Sequence, residues 1–176
     1  MPPPALSPGG QPLADFGTRL LAILIDTAIL TGVAMVITTP VIFFFVFSWM
    51  DDLMATEPGL GPQPDVLADV VGPMLLLEAG LLLILLVAYY VYYVEMMYRS
   101  GQTVGKKAMK LRVVPLDPER RLTRGMAAKR YLVENVAGTI VPFLVYLDGL
   151  WQLWDKPYQQ TLHDKFAQTV VVKVSA

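Results

Sequence analysis

From Leu20 to Met50 the sequence carries a single ionisable side chain, Asp26, among Leu, Ile, Val, Ala, Phe and small residues. A helix needs roughly 20 such residues to cross about 30 Å of hydrocarbon. The stretch therefore predicts a spanning helix over 20–50, since a lone span must satisfy its backbone internally. Pro40, which lacks an N–H, is placed to kink that helix or mark its exit. A cleaved signal is not expected, because no Lys or Arg precedes Arg19 and the apolar run is too long for a signal core. The proline-rich residues 1–17 read as a disordered cytoplasmic leader.

A second apolar run, Met74 to Val94, is broken only by Glu78 and Gly80, and predicts a helix over 74–98. Tyr89, Tyr90, Tyr92, Tyr93 and Tyr98 crowd one end of it, as expected of an aromatic belt at a membrane surface. With 55% hydrophobic and 16% charged residues, the composition departs from a soluble domain in the same direction. The flanking loops set the orientation. The loop 51–73 holds Asp51, Asp52, Glu57, Asp65 and Asp69 without Lys or Arg, whereas 99–130 holds ten basic residues against Asp117 and Glu119. The positive-inside rule puts the basic loop in the cytoplasm and the acidic loop outside, so the N-terminus is cytoplasmic.

The third apolar segment, 131–154, is long enough to span but contains Glu134, Asn135, Gly138, Pro142, Asp148 and Gly149. Two β-branched runs, 110–115 and 169–174, read as strands, and lone strands gain stability only by pairing. Pairing requires both on one side of the membrane. This favours a broken, re-entrant hairpin turning near Pro142 over a third crossing, with the tail 155–176 in the cytoplasm. The expected fold class is thus membrane all-α, with two transmembrane helices, a broken or re-entrant hydrophobic segment, and a small cytoplasmic strand pair, all in one domain over 18–174.

Absence of cysteine excludes disulfides and thiolate chemistry, and the single histidine, His163, leaves no basis for a protein metal site; no cofactor is expected. The pair His163-Asp164 has no serine in a nucleophile-elbow context, so an enzyme is not expected. Gly101-Gln102-Thr103-Val104-Gly105-Lys106-Lys107 is one residue short of a phosphate-binding loop, and Lys107 stands where the magnesium-binding hydroxyl belongs. Its basic residues, with Lys110 and Arg112, are expected to face anionic headgroups. Nucleic acid is not an expected partner.

Asp26 lies about two turns into the first helix, where an ionised carboxylate costs roughly 2.5–3.5 kcal/mol, and it is a functional candidate for that reason. Arg19, seven residues earlier and so roughly 10 Å away, is too distant for a direct pair. A partner is expected from another segment, with Lys129, Arg130, Asn135 and the turn 160–165 in reach. The competing reading is a hydrogen-bonded packing device. Glu78 and Glu95 are assigned to the interfaces. The interfacial assignment is also preferred for Glu134 and Asp148, although both could join a polar cluster.

Three pieces in order resemble the RDD family of small bacterial membrane proteins. They are Arg19-Leu20-Leu21-Ala22 with Ile25-Asp26; Gly101-Gln102-Thr103-Val104-Gly105-Lys106-Lys107 running into Leu111-Arg112-Val113-Val114; and Gln160-Thr161-Leu162-His163-Asp164-Lys165 with Thr169-Val170-Val171-Val172. The resemblance implies that Arg19, Asp26 and Asp164 are the family's arginine and two aspartates. Gly101, Gln102, Thr103, Gly105, Lys106, Gln160, Thr161 and His163 are the supporting motif. Ala108-Met109-Lys110 stands where the resemblance leads one to expect a further glycine. It also implies transport of an ion or small ligand, sodium/proton antiport being proposed for some members. A chain this short cannot enclose a pore alone, so transport requires a homo-oligomer or a partner membrane protein. The alternative is a non-catalytic assembly or scaffold protein. In either case the expected location is the bacterial inner membrane, multi-pass.

Overall fold

The computed structural model describes residues 5–55 and 65–174. It is mostly helical, with two long apolar helices and one small antiparallel sheet. The chain divides into two units, Met1–Ala28 with Tyr89–Ala176, and Ile29–Ala88.

Helix α1 (Phe16–Ala55) runs on through Pro40 without ending there. A π-helical turn (Val66–Val71), α2 (Gly72–Tyr90), a second π turn (Val91–Glu95) and α3 (Met96–Ser100) follow one another without a break. Phe16–Met50 and Leu67–Ser100, of 35 and 34 residues, are each long and apolar enough to cross a membrane, judged by length and composition. The acidic loop expected over 51–73 is shorter than its sequence suggested. Helix continues to Ala55 and resumes at Val66, capped by the Asp65 carboxylate, and the remainder, 56–64, lies outside the described residues.

In the unit Ile29–Ala88, α2 buries no residue, and Val36, Phe43, Phe44, Leu76, Leu83 and Ile84 are all exposed. So much exposed apolar surface is unfavourable in water and suited to lipid or a protein partner. Gly32 and Gly80 face open space.

The other unit is built around the sheet. Strands β1 (Leu111–Pro115) and β2 (Thr169–Lys173) pair antiparallel, Leu111 opposite Lys173 and Val113 opposite Val171, as the β-branched runs predicted. One core joins Ala14, Ala22, Val94, Met97, Leu111, Val113, Ala127, Tyr131 and Val171. On the other side of the sheet, Leu13, Val170 and Val172 pack with Val114, Leu116 and Tyr158.

The leader departs from expectation. Residues 1–4 of it lie outside the described residues, but over 5–17 the chain is not a free tail: Leu13 bridges Val172, Ala14 N–H donates to the Val171 carbonyl at 2.9 Å, and Lys173 N–H donates to the Pro12 carbonyl at 2.9 Å. The segment covers an edge of β2 that would otherwise present unpaired backbone groups. Its prolines are compatible with an edge position, which a central strand would not allow.

The basic stretch 99–130 is also structured, containing α4 (Val104–Ala108), β1 and α5 (Arg124–Tyr131). Lys110 takes the left-handed backbone conformation, φ 55°, at the turn where the resemblance led one to expect a glycine. The third apolar segment is broken as predicted. After α5 come a π turn (Leu132–Ala137), α6 (Gly138–Ile140), a break at Val141-Pro142, and α7 (Phe143–Trp151). At Gly138 a Cβ would sit 2.6 Å from Val145 Cγ2, so α6 and α7 meet closely where the chain turns. Helix α8 (Leu162–Ala167) then packs on α5 and α7 and leads into β2.

Candidate functional site

Asp26, 1% exposed, is surrounded by donors. Tyr92 Oη donates to Oδ1 at 2.6 Å, the Gly105 N–H donates to Oδ1 at 2.7 Å, and Thr103 Oγ1 donates to Oδ2 at 2.5 Å. Thr103 also caps α4, its oxygen accepting from the Lys106 N–H. Gly105 is required by close approach. A Cβ there would lie 2.1 Å from the Ala22 carbonyl oxygen and 2.8 Å from Asp26 Cγ. The motif Gly101 to Lys107 therefore presents backbone and hydroxyl donors to a carboxylate of its own chain. Gly101 closes α3 at φ 72°, and Gln102 Nε2 donates to the Leu111 carbonyl at 2.7 Å, tying the motif to β1.

The partner expected for Asp26 from Lys129, Arg130, Asn135 or the turn 160–165 is not found there. Arg130 and the turn 160–165 converge on Asp164 instead, while Lys129 lies over the Phe166 ring. Asp164 is fully buried, with Arg19 Nη1 at 3.3 Å from Oδ2 and Arg130 Nη1 against Oδ1. Thr169 Oγ1 donates to Oδ1 at 3.1 Å, and the Thr161 N–H donates to Oδ2 at 3.3 Å. Thr161 and Asp164 form a reciprocal capping box on α8. Arg19 further donates to the Gln159 and Val171 carbonyls, binding the start of α1 to the sheet. Burial alone raises the Asp164 carboxyl, but the cations around it, Arg130 foremost, outweigh burial and hold it well below the usual carboxylate range.

Arg130 extends the network. Its Nη2 lies 2.9 Å from His163 Nε2, and a guanidinium can only donate, so Nε2 is the acceptor and the ring proton sits on Nδ1. That proton is donated to Asp148 Oδ2 at 2.6 Å, while Asp148 Oδ1 accepts the His163 backbone N–H. Glu134 Oε2 is 3.8 Å from His163 Nε2. Glu134 and Asp148 are thus members of the cluster, not the interfacial residues that their positions suggested. Gln160 closes the far side, its Nε2 donating to the Thr169 carbonyl and its N–H to Asp155.

Two further expectations are corrected. Lys106, assigned to headgroups, is 6% exposed and points into the same interior. Tyr92 hydrogen-bonds Asp26, and Tyr89 and Tyr93 pack against the core, so the tyrosine cluster is not simply an aromatic belt. Among the described residues no group of His, Asp or Glu is placed to hold a metal ion.

The model of the RDD family matches residues 13–168, a range that takes in Arg19, Asp26 and Asp164. The chain belongs to the RDD family. No curated protein and no solved structure matches it. The family's arginine and second aspartate, as the resemblance placed them, form a direct ion pair, while the first aspartate holds the glycine motif. Arg130 is the residue that sequence reasoning undervalued. It stands in no motif, and its only signal was a cation at the start of an apolar segment.

Proposed function

We propose that this RDD protein is a multi-pass protein of the bacterial cytoplasmic membrane that works as a non-catalytic assembly component. The carrying observation is that both oxygens of Asp26 already accept from donors of its own chain, Oδ1 from Tyr92 and Gly105 and Oδ2 from Thr103, which suits a fixed joint between elements. The proposed topology has a cytoplasmic N-terminus, an external acidic segment and a cytoplasmic sheet unit, in keeping with the charge asymmetry of the loops. The exposed apolar helices are proposed to pack against copies of the chain or a partner membrane protein. Tyr98, Arg99, Arg112, Arg121 and Arg124 line an open groove of about 930 Å³ just beyond the apolar helix that ends at Ser100, and this groove is proposed to meet anionic headgroups.

A second reading, transport of an ion or small ligand by an oligomer, is favoured by one observation: a small cavity beside Asp164 whose wall includes Arg19, Lys106, Arg130 and Glu134. Proton and sodium flux in proteoliposomes separates the two. The assembly reading expects no flux from inserted wild-type protein and recovery of a specific membrane partner on co-purification. Flux in wild type that is lost in folded Asp26→Asn overturns it in favour of transport.

A further inference from the structure

Two basic hollows of the sheet unit share a wall at Arg121 and Thr123. The first is the groove of about 930 Å³ at the end of the apolar helix, where Arg99, Arg112 and Arg124 join Arg121. The second, of about 440 Å³, is lined by Arg120 and Lys129 beside Arg121. No carboxylate lines either hollow. The acids that pair with these cations are Glu95, with Arg99 and Arg124, and Asp117, with Arg120. Even with Glu119 of the intervening turn counted, six cations stand against three carboxylates. Arg112, Arg121 and Lys129 make no ion pair among the described residues.

The cations of the groove are held in place before any ligand arrives. Glu95 accepts from Arg124 on both oxygens, from Nε at 2.9 Å and Nη2 at 3.3 Å, and the guanidinium lies 4.8 Å over the Tyr98 ring. Nη1 is left uncommitted. The Arg112 stem crosses Gly101 so closely that a Cβ there would fall 2.9 Å from its Cγ. The Val113 N–H donates to the Gly101 carbonyl at 2.8 Å, which fixes β1 against the end of α3. Side chains ordered in advance lose less conformational freedom on binding.

Arginine forks suit phosphate oxygens. A single phosphate fills one hollow and leaves the cations of the other in water, whereas two phosphates on a short bridge reach both across Arg121. The place of the groove favours a lipid as their source. It opens at Tyr98 to Ser100, the last residues of the apolar span Leu67–Ser100, and tyrosine favours the headgroup level. We propose that the two hollows form one site for a phospholipid carrying two phosphodiesters, one phosphate against Arg112 and Arg124 and the other against Arg120 and Lys129, with Arg121 between them. The proposal rests on the headgroup reading of the groove and narrows it to one lipid of this class per chain.

The test uses the full chain purified in a non-ionic detergent. It is titrated with two lipids of equal acyl chains, cardiolipin with two phosphates and phosphatidylglycerol with one, and bound lipids are counted by native mass spectrometry. The expected result is one cardiolipin per chain, half-saturating at least about fivefold below phosphatidylglycerol, the factor that one further cation at a membrane surface supplies. Arg112→Gln and Lys129→Gln, both exposed and in different hollows, should each raise the half-saturating cardiolipin concentration by about fivefold. Phosphatidylglycerol should scarcely respond to either, because one hollow remains. Lys107→Gln removes the same charge outside both hollows and should change neither lipid. Equal half-saturation per phosphate for the two lipids overturns the two-phosphate site while the headgroup reading stands; binding of neither overturns both. A cardiolipin preference that survives Arg112→Gln with Lys129→Gln refutes the assignment of the site. Displacement of cardiolipin by inorganic pyrophosphate at equal concentration makes the ligand a soluble diphosphate and refutes the lipid.

Discussion

Replacing Gly105 by alanine tests the joint between α1 and α4 with a single methyl group. The new Cβ would fall 2.1 Å from the Ala22 carbonyl oxygen, which is helix backbone and cannot rotate away, and 2.8 Å from Asp26 Cγ. α4 must move outward, and the 2.7 Å bond from Gly105 N–H to Asp26 is the first to open. Loss of a buried hydrogen bond to a charged acceptor is worth about 1.5–3 kcal/mol, and forced displacement of a packed element about 1–3 kcal/mol, so a loss of about 3–5 kcal/mol is expected. Denaturant titration in detergent, read by tryptophan fluorescence, measures it, because Trp151 and Trp154 lie in the same unit as Gly105. Gly149→Ala is the control: nothing lies within 4 Å of its Cβ, and alanine in a helix should gain about 0.5–1 kcal/mol. A loss under about 1 kcal/mol for Gly105→Ala would show that α4 does not rest on α1 and would refute the close approach.

Arg130→Met leaves Asp164 with Arg19 as its remaining cation and strips the donors from His163 and Thr169; a loss of about 3–5 kcal/mol is expected in the same titration. Tyr92→Phe removes one of three donors to Asp26 at a half-buried position, and about 1–2 kcal/mol is expected, with no change in insertion. Acid should destabilise the sheet unit. Asp164 is depressed by Arg130 against the opposing effect of burial, and Asp15 is held at about 2 by its hydrogen bond to Lys173. Depressed carboxyls contribute stability above the unfolded value of about 3.9 and lose it as pH falls through the folded value. Denaturant midpoints measured from pH 6 downward should therefore fall below about pH 4. Asp15→Asn should change this little, because its exposed pair with Lys173 is screened by solvent.

Elements that depend on local pattern were legible from the chain. The apolar runs gave both long helices, Val170 to Val172 and Val113-Val114 gave the strands, and Pro142 gave the break in the third segment. Boundaries shifted because helix continues wherever backbone satisfaction is easiest, which carried α1 to Ala55 and the second helix back to Val66. What pattern could not supply was the pairing of charges distant in sequence. Arg19 and Asp164 are 145 residues apart, and Asp26 finds its donors on Tyr92 and Thr103, which nothing local marks as its partners. The leader was misread for a related reason. Proline-rich composition argues against regular structure, but an edge strand needs only a few free donors, and Leu13 and Ala14 supply apolar surface where the sheet has none to spare.

The engagement of both Asp26 oxygens has a consequence that chemical labelling can reach. Freeing the carboxylate means breaking hydrogen bonds to Tyr92, Thr103 and Gly105. At about 1.5–3 kcal/mol each for a charged acceptor, the cost is about 4.5–9 kcal/mol unless another cation or donor replaces them. A state at such a height is populated on the order of one part in two thousand or less. A hydrophobic carbodiimide reacts with protonated, accessible carboxyls in apolar surroundings. Glu78, exposed on a helix that buries no residue, should be modified readily, while Asp26 stays unmodified on the same timescale, as read by peptide mass spectrometry. Asp26 labelling as fast as Glu78, and slowed by sodium, would mean that the joint opens in the resting protein, and the case for a fixed assembly component would fall with it.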